Sequence, residues 1–125
     1  MKLLLVDDDV FLRDMYAIKF TDSGFDVAAA GSAEQALGLI EKTPHFDIVL
    51  TDMVMPGMTG VELIQQINDL FADMKACSIV LTNQGQKSDI VAAKKAGAAG
   101  YIIKAEAIPS DVVTQVTKIF KSNKT

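Results

Sequence analysis

Hydrophobic residues are concentrated in five short runs, and the stretches between them change to a helical period. Lys2–Val6, Phe25–Ala30, Ile48–Leu50, Ala76–Leu81 and Tyr101–Ile103 are each bounded by polar or turn residues. Runs of that length and density are expected of strands in a parallel sheet that is covered on both faces. The second is the weakest, because three of its residues are alanine. Asp9 is placed to cap a first helix over Val10 to about Thr21, with Phe11, Met15, Ile18 and Phe20 as its expected buried face and Gly24 as its stop. Ser32 with Gln35 caps a second helix, which carries Ala33, Ala36, Leu37 and Ile40 on one side and ends before Pro44. Thr59 and Glu62 form a capping box for a third, from about Val61 to Phe71. Ser88 to Ala96 is a fourth, closed by Gly97, and Pro109-Ser110-Asp111 opens a fifth in which Val112, Val113, Val116, Ile119 and Phe120 recur at helical spacing. Strict alternation of strand and helix implies right-handed crossovers, and so a three-layer α/β sandwich. No linker or repeat interrupts the pattern, which reads as one domain over residues 1–121 with a polar tail at 122–125.

Composition narrows what this sandwich does. At 125 residues, half of them hydrophobic, the chain has material for one core and too little for two ordinary domains. No apolar run approaches the ~20 residues of a membrane span. Met1-Lys2 leads through a strand straight into three aspartates, unlike a signal peptide, so a cytoplasmic protein without membrane association is expected. A net charge of −4 and a pI near 4.8 argue against direct nucleic-acid binding, which depends on Lys and Arg neutralising phosphates. Cys77 is the one cysteine and lies in an apolar run, so it reads as a buried, inert thiol. His45 stands in a loop without a second ligand nearby and reads as a surface residue.

The chemistry lies at the strand ends. Every predicted strand except the second is followed by, or ends at, a polar residue of a distinct type: Asp7 and Asp8, Asp52, Thr82, and Lys104. A parallel sheet gathers these on its carboxyl edge, where ligands bind in open α/β folds. Three carboxylates, a hydroxyl and an ammonium suit a hard divalent cation beside a phosphoryl group. Adjacent Asp7, Asp8 and Asp9 repel one another unless a cation or a helix amino terminus offsets them, and Asp9 is assigned to the helix. In this reading Asp52 is a nucleophile toward phosphorus. Magnesium and Lys104 neutralise the transferring oxygens, and Thr82 donates a hydrogen bond to the acyl phosphate formed. Neither a G-x-x-x-x-G-K-[ST] loop nor a G-x-G-x-x-G turn is present to cradle a nucleotide, so the phosphoryl group arrives from another molecule.

VDDD at 6–9, TDMVMPGMTG at 51–60, LT at 81–82 and GYIIK at 100–104 stand in an order and spacing that resemble the receiver domain of bacterial two-component response regulators. The resemblance runs from Lys2 to about Lys121. It implies a doubly wound, flavodoxin-like sheet of five parallel strands in the order 2-1-3-4-5, flanked by five helices, with the site between strands one and three. It further implies that Asp52 accepts a phosphoryl group from the phosphohistidine of a sensor histidine kinase or phosphotransfer protein. Magnesium would be held by Asp7, Asp8, Asp52 and the backbone carbonyl of Val54. The domain would catalyse its own phosphorylation and dephosphorylation without being a turnover enzyme. Thr82 and Tyr101 match the family's switch pair, and the face of the fourth helix, fifth strand and fifth helix would meet an output partner, as a monomer or a phosphorylation-dependent dimer. Ala105 departs from the family's proline after the lysine, where a cis bond before a non-proline residue costs ~2.5–4 kcal/mol. Asn83 replaces a small residue, and Val54 and Gln84 occupy positions that tune dephosphorylation. Since an apolar Val54 side chain cannot hold an attacking water, slow to moderate self-dephosphorylation is expected. Two alternatives compete: a receiver-like interaction module that takes no phosphate, and a magnesium-dependent aspartyl phosphohydrolase. The latter fits poorly, because Asp52 follows the third strand and the chain has no room for a cap domain.

Overall fold

The computed structural model describes residues 1–83, 87–104 and 107–123. Its strands are β1 (Lys2–Val6), β2 (Asp26–Ala30), β3 (Ile48–Asp52), β4 (Cys77–Thr82) and β5 (Gly100–Ile103), all parallel, in the order β2-β1-β3-β4-β5. Between and after them run α1 (Val10–Asp22), α2 (Ala33–Lys42), α3 (Gly60–Leu70), α4 (Lys87–Lys95) and α5 (Pro109–Asn123). The expected doubly wound α/β sandwich is therefore present. The apolar runs fill the middle of the sheet: β3 and β4 bury every residue, whereas the edge strands β2 and β5 leave Asp26, Ala29 and Tyr101 exposed.

Alternation along each strand divides the core between the two faces. In β1, Leu3 and Leu5 join Tyr16 and Phe20 of α1 and Val112 and Val116 of α5. Leu4 and Val6 point the other way, into a cluster with Ala36 and Ile40 of α2 and Leu63 and Ile67 of α3. A smaller third cluster joins Met53, Ile64 and Val80 to Ala93 and Ala96. Ala93 is the one buried residue within α4.

The helix starts follow the predicted caps. Asp9 accepts from the Leu12 amide, Ser32 from Gln35, and Thr59 and Glu62 close a reciprocal capping box. Gly24 and Gly97, at φ 94° and 101°, end α1 and α4 in the left-handed conformation that glycine adopts without steric cost. The α3–β4 connection holds a short 3-10 turn at Ala72–Met74, ended by Lys75 at φ 52°, which no glycine announces in the sequence.

One expectation is corrected. Phe11 is 75% and Ile18 63% exposed, and the stripe of α1 that meets the sheet is Leu12, Tyr16 and Phe20. Phe11 and Phe20 are nine residues apart, about half a turn out of phase at 3.6 residues per turn, so they cannot share a face. Met15 is half-buried at the boundary.

Candidate functional site

The register of the sheet sets the site. Val6 is level with Thr51, so Asp7 leaves β1 beside Asp52 at the end of β3. Asp52 is level with Leu81, and Thr82 with Ile103, so Thr82 and Lys104 follow on the same edge. Asp7, Asp52 and Thr82 are buried, and Asp8 faces solvent.

Lys104 bridges the two buried carboxylates: its Nζ lies 3.0 Å from Asp7 Oδ2 and 3.2 Å from Asp52 Oδ2. Asp7 Oδ1 accepts from the Asp9 amide at 3.0 Å, which folds the acidic loop back into the first turn of α1. Burial is the main reason that the Asp52 carboxyl is pushed up from its ordinary 3.8 to about 6. Lys104 and the Val54 amide pull it down, while Asp7 adds to the rise. For Lys104 the balance is reversed: burial lowers its pKa, but Asp52 and Asp7 together raise it above the ordinary lysine value, so the ammonium stays charged.

Asp7, Asp8 and Asp52 each offer a carboxylate oxygen within 4.8 Å of the others, and they are the one such cluster of candidate metal ligands among the described residues. Three carboxylates against one ammonium leave a formal charge of −2, which a single divalent cation cancels. The donors are all hard oxygens and Asp8 leaves the site open to water, so the residues fit magnesium, which keeps several of its waters when bound.

Val54 lies in the β3–α3 loop, two residues past Asp52, and is 75% exposed. Tyr101 is 38% exposed on β5, on the outer edge of the sheet. Asn83 is exposed just beyond β4. The Lys104–Ala105 peptide bond and Gln84 lie outside the described residues. Away from the site, Cys77 is a buried free thiol and His45 is exposed, as read from the sequence.

Four residues that shape this edge were not singled out from the sequence. Gly60 is required because the first turn of α3 packs on the end of β3: its amide donates to the Met53 carbonyl at 2.9 Å, and a Cβ there would collide with the Asp52 carbonyl oxygen. Tyr16 is buried on α1, where its phenol feels Lys104, Asp7, Asp52 and Asp9; burial, the largest influence, raises its pKa and keeps it protonated. Arg13 Nη1 donates to the Asp7 carbonyl at 3.0 Å, and Gly31 lies against that guanidinium. Arg13 and Tyr16 follow the Asp9 cap by four and seven residues, which on a helix places them on its side of α1; that spacing was the available signal.

Residues 3–117 match the response regulator receiver domain, and the chain belongs to that family, the receiver module of two-component signalling. Chemotaxis protein CheY of Thermotoga maritima is 36% identical over 122 residues, which cover 96% of this chain and 98% of that protein. The DNA-binding response regulator MtrA of Mycobacterium tuberculosis is 32% identical over 122 residues, 98% of this chain but 51% of the relative. The chain thus spans about half the length of the MtrA proteins that it matches. Chemotaxis protein CheY4 of Vibrio cholerae, at 26% identity, superposes with a TM-score of 0.87 over 94% of this chain and 97% of that structure. Among the described residues, no helix is long and apolar enough to cross a membrane.

Proposed function

We propose that the domain is a phosphorylation-switched receiver in which Asp52 is the phosphoacceptor. The observation that carries this reading is the shared ammonium: Lys104 binds Asp7 and Asp52 at once, so the nucleophile, the metal carboxylates and the charge neutraliser meet at one strand edge. An Asp52 oxygen attacks the phosphorus of a donor phosphohistidine, the new P–O bond forms as the P–N bond breaks, and the imidazole leaves with a proton from solvent. Asp7, Asp8, Asp52 and the Val54 carbonyl would hold magnesium, which neutralises the phosphoryl oxygens and relieves the repulsion among the carboxylates. Lys104 binds a phosphoryl oxygen as it releases its hold on Asp52. Thr82, buried at the end of β4, donates to the phosphoryl group, and Tyr101 on the adjacent strand turns inward as Thr82 moves. The donor is a histidine kinase or phosphotransfer protein, and the face of α4, β5 and α5 meets the output partner.

Intact mass after incubation with acetyl phosphate and magnesium tests the acceptor. One added phosphoryl group on the wild type and none on Asp52→Ala is the expected result. An adduct that persists on Asp52→Ala sinks the assignment, and failure of the folded wild type to gain an adduct or to bind beryllofluoride favours an interaction-only module.

A further inference from the structure

The geometry points to Arg13 as a positioning residue for the metal site, held in place by the absence of a side chain at Gly31. The inference rests on the reading of Asp7, Asp8 and Asp52 as a magnesium site. Every polar group of Asp7 is engaged. Its amide donates to the Ala30 carbonyl at 3.1 Å, its carbonyl accepts from Arg13 Nη1 at 3.0 Å, and its two carboxylate oxygens take the Asp9 amide and Lys104. The Arg13 bond acts on the Asp7–Asp8 peptide, which sets the direction from which the exposed Asp8 presents its oxygen. Outer-shell hydrogen bonds of this kind orient ligands that have little other support.

Gly31 makes room for the arrangement. A Cβ at this position would lie 2.6 Å from Arg13 Nη1 and 3.5 Å from Gln35 Oε1, and Gln35 Oε1 in turn accepts from the Gly31 amide at 2.8 Å. The nearest obstruction is the far end of a flexible side chain, so an alanine displaces the guanidinium with little disturbance of the fold. One substitution thereby moves the Arg13 contact while leaving its charge in the molecule. The chain ties α1, the acidic loop and the start of α2 together at the site.

Charge and position predict opposite signs, which makes the inference testable. If Arg13 were only a cation beside a cation site, removing it would tighten magnesium binding. A positioning role weakens binding instead, by about tenfold on the scale of outer-shell substitutions. Mg2+ titrations followed by the amide resonances of residues 7–10 and 52–54 would be run on the wild type, Arg13→Ala, Arg13→Lys, Gly31→Ala and the Arg13→Ala/Gly31→Ala double variant, with thermal midpoints alongside. Arg13→Ala and Gly31→Ala should each bind about tenfold more weakly at nearly unchanged thermal stability. Arg13→Lys should recover part of the loss, and the double variant should be no weaker than Arg13→Ala. Magnesium affinity in Arg13→Ala equal to or tighter than that of the wild type overturns the inference, as does wild-type affinity in Gly31→Ala, which carries the test by itself if Arg13→Ala does not fold. A wild type that shows no saturable magnesium binding overturns the metal-site reading itself, and this inference with it.

Discussion

Asp52 is a carboxylate held where it ionises with difficulty. The unfolded chain releases this proton near 3.8 and the folded chain near 6, so between those values the native state retains a proton that the unfolded state has lost. The corresponding stability is fully present below about 3.8 and is lost as the pH rises through about 6. At roughly 1.4 kcal/mol per pKa unit, the charged Asp52 costs the metal-free fold on the order of 3 kcal/mol at neutral pH. Asp52→Asn should therefore be more stable than the wild type at pH 7 in urea unfolding without divalent metal, and the gap should close below pH 4. A gap that stays constant across that range would show that burial of Asp52 is not what limits the fold. Val54 makes a second prediction at this scale. Its exposed apolar side chain, two residues past Asp52, has no group to orient water, so Val54→Asn should speed decay of the phosphorylated form several-fold, measured as loss of mass adduct with time. Unchanged decay would place the control of hydrolysis elsewhere.

At the scale of elements, the junction of β3 with α3 sets the position of Asp52. Thr59→Ala removes one capping bond and should cost about 1 kcal/mol without moving Asp52. Gly60→Ala pushes a methyl group into the Asp52 backbone, which has no flexible end to yield, and should cost about 1–3 kcal/mol. The pair separates cap from position: acetyl phosphate labelling should remain normal in Thr59→Ala and slow in Gly60→Ala. Equal labelling would mean that the junction tolerates displacement. The same junction separates what neighbouring residues determine from what the assembled fold determines. Strand ends, caps and acidic residues were legible because they depend on neighbours a few positions away. Gly60, Gly31 and Arg13 were not, since their roles arise from contacts between segments that approach only after the sheet has formed. The buried face of α1 was misassigned for a related reason. Phe11 and Ile18 are as apolar as Phe20, and only the sheet decides which stripe it covers.

For the whole molecule, the site is a store of repulsion that a ligand can release. Magnesium held at the proposed site requires the folded edge that brings the three carboxylates together, so a hundredfold excess over its dissociation constant should add about 2.7 kcal/mol. For a domain of this size that corresponds to a rise of roughly 10 °C in the thermal midpoint. Asp8→Asn should abolish most of the rise; a rise of equal size in that variant would place the ion elsewhere. The helices share unequally in this stability. The strands β1, β3 and β4 are sealed between layers, whereas α4 buries only Ala93 along its length. In amide-exchange terms, β1, β3 and β4 should open only with the whole fold, and α4 should open by itself at a smaller free energy. A bias of about 1.4 kcal/mol on that local opening would change the open population of α4 tenfold while the sheet beneath keeps its register.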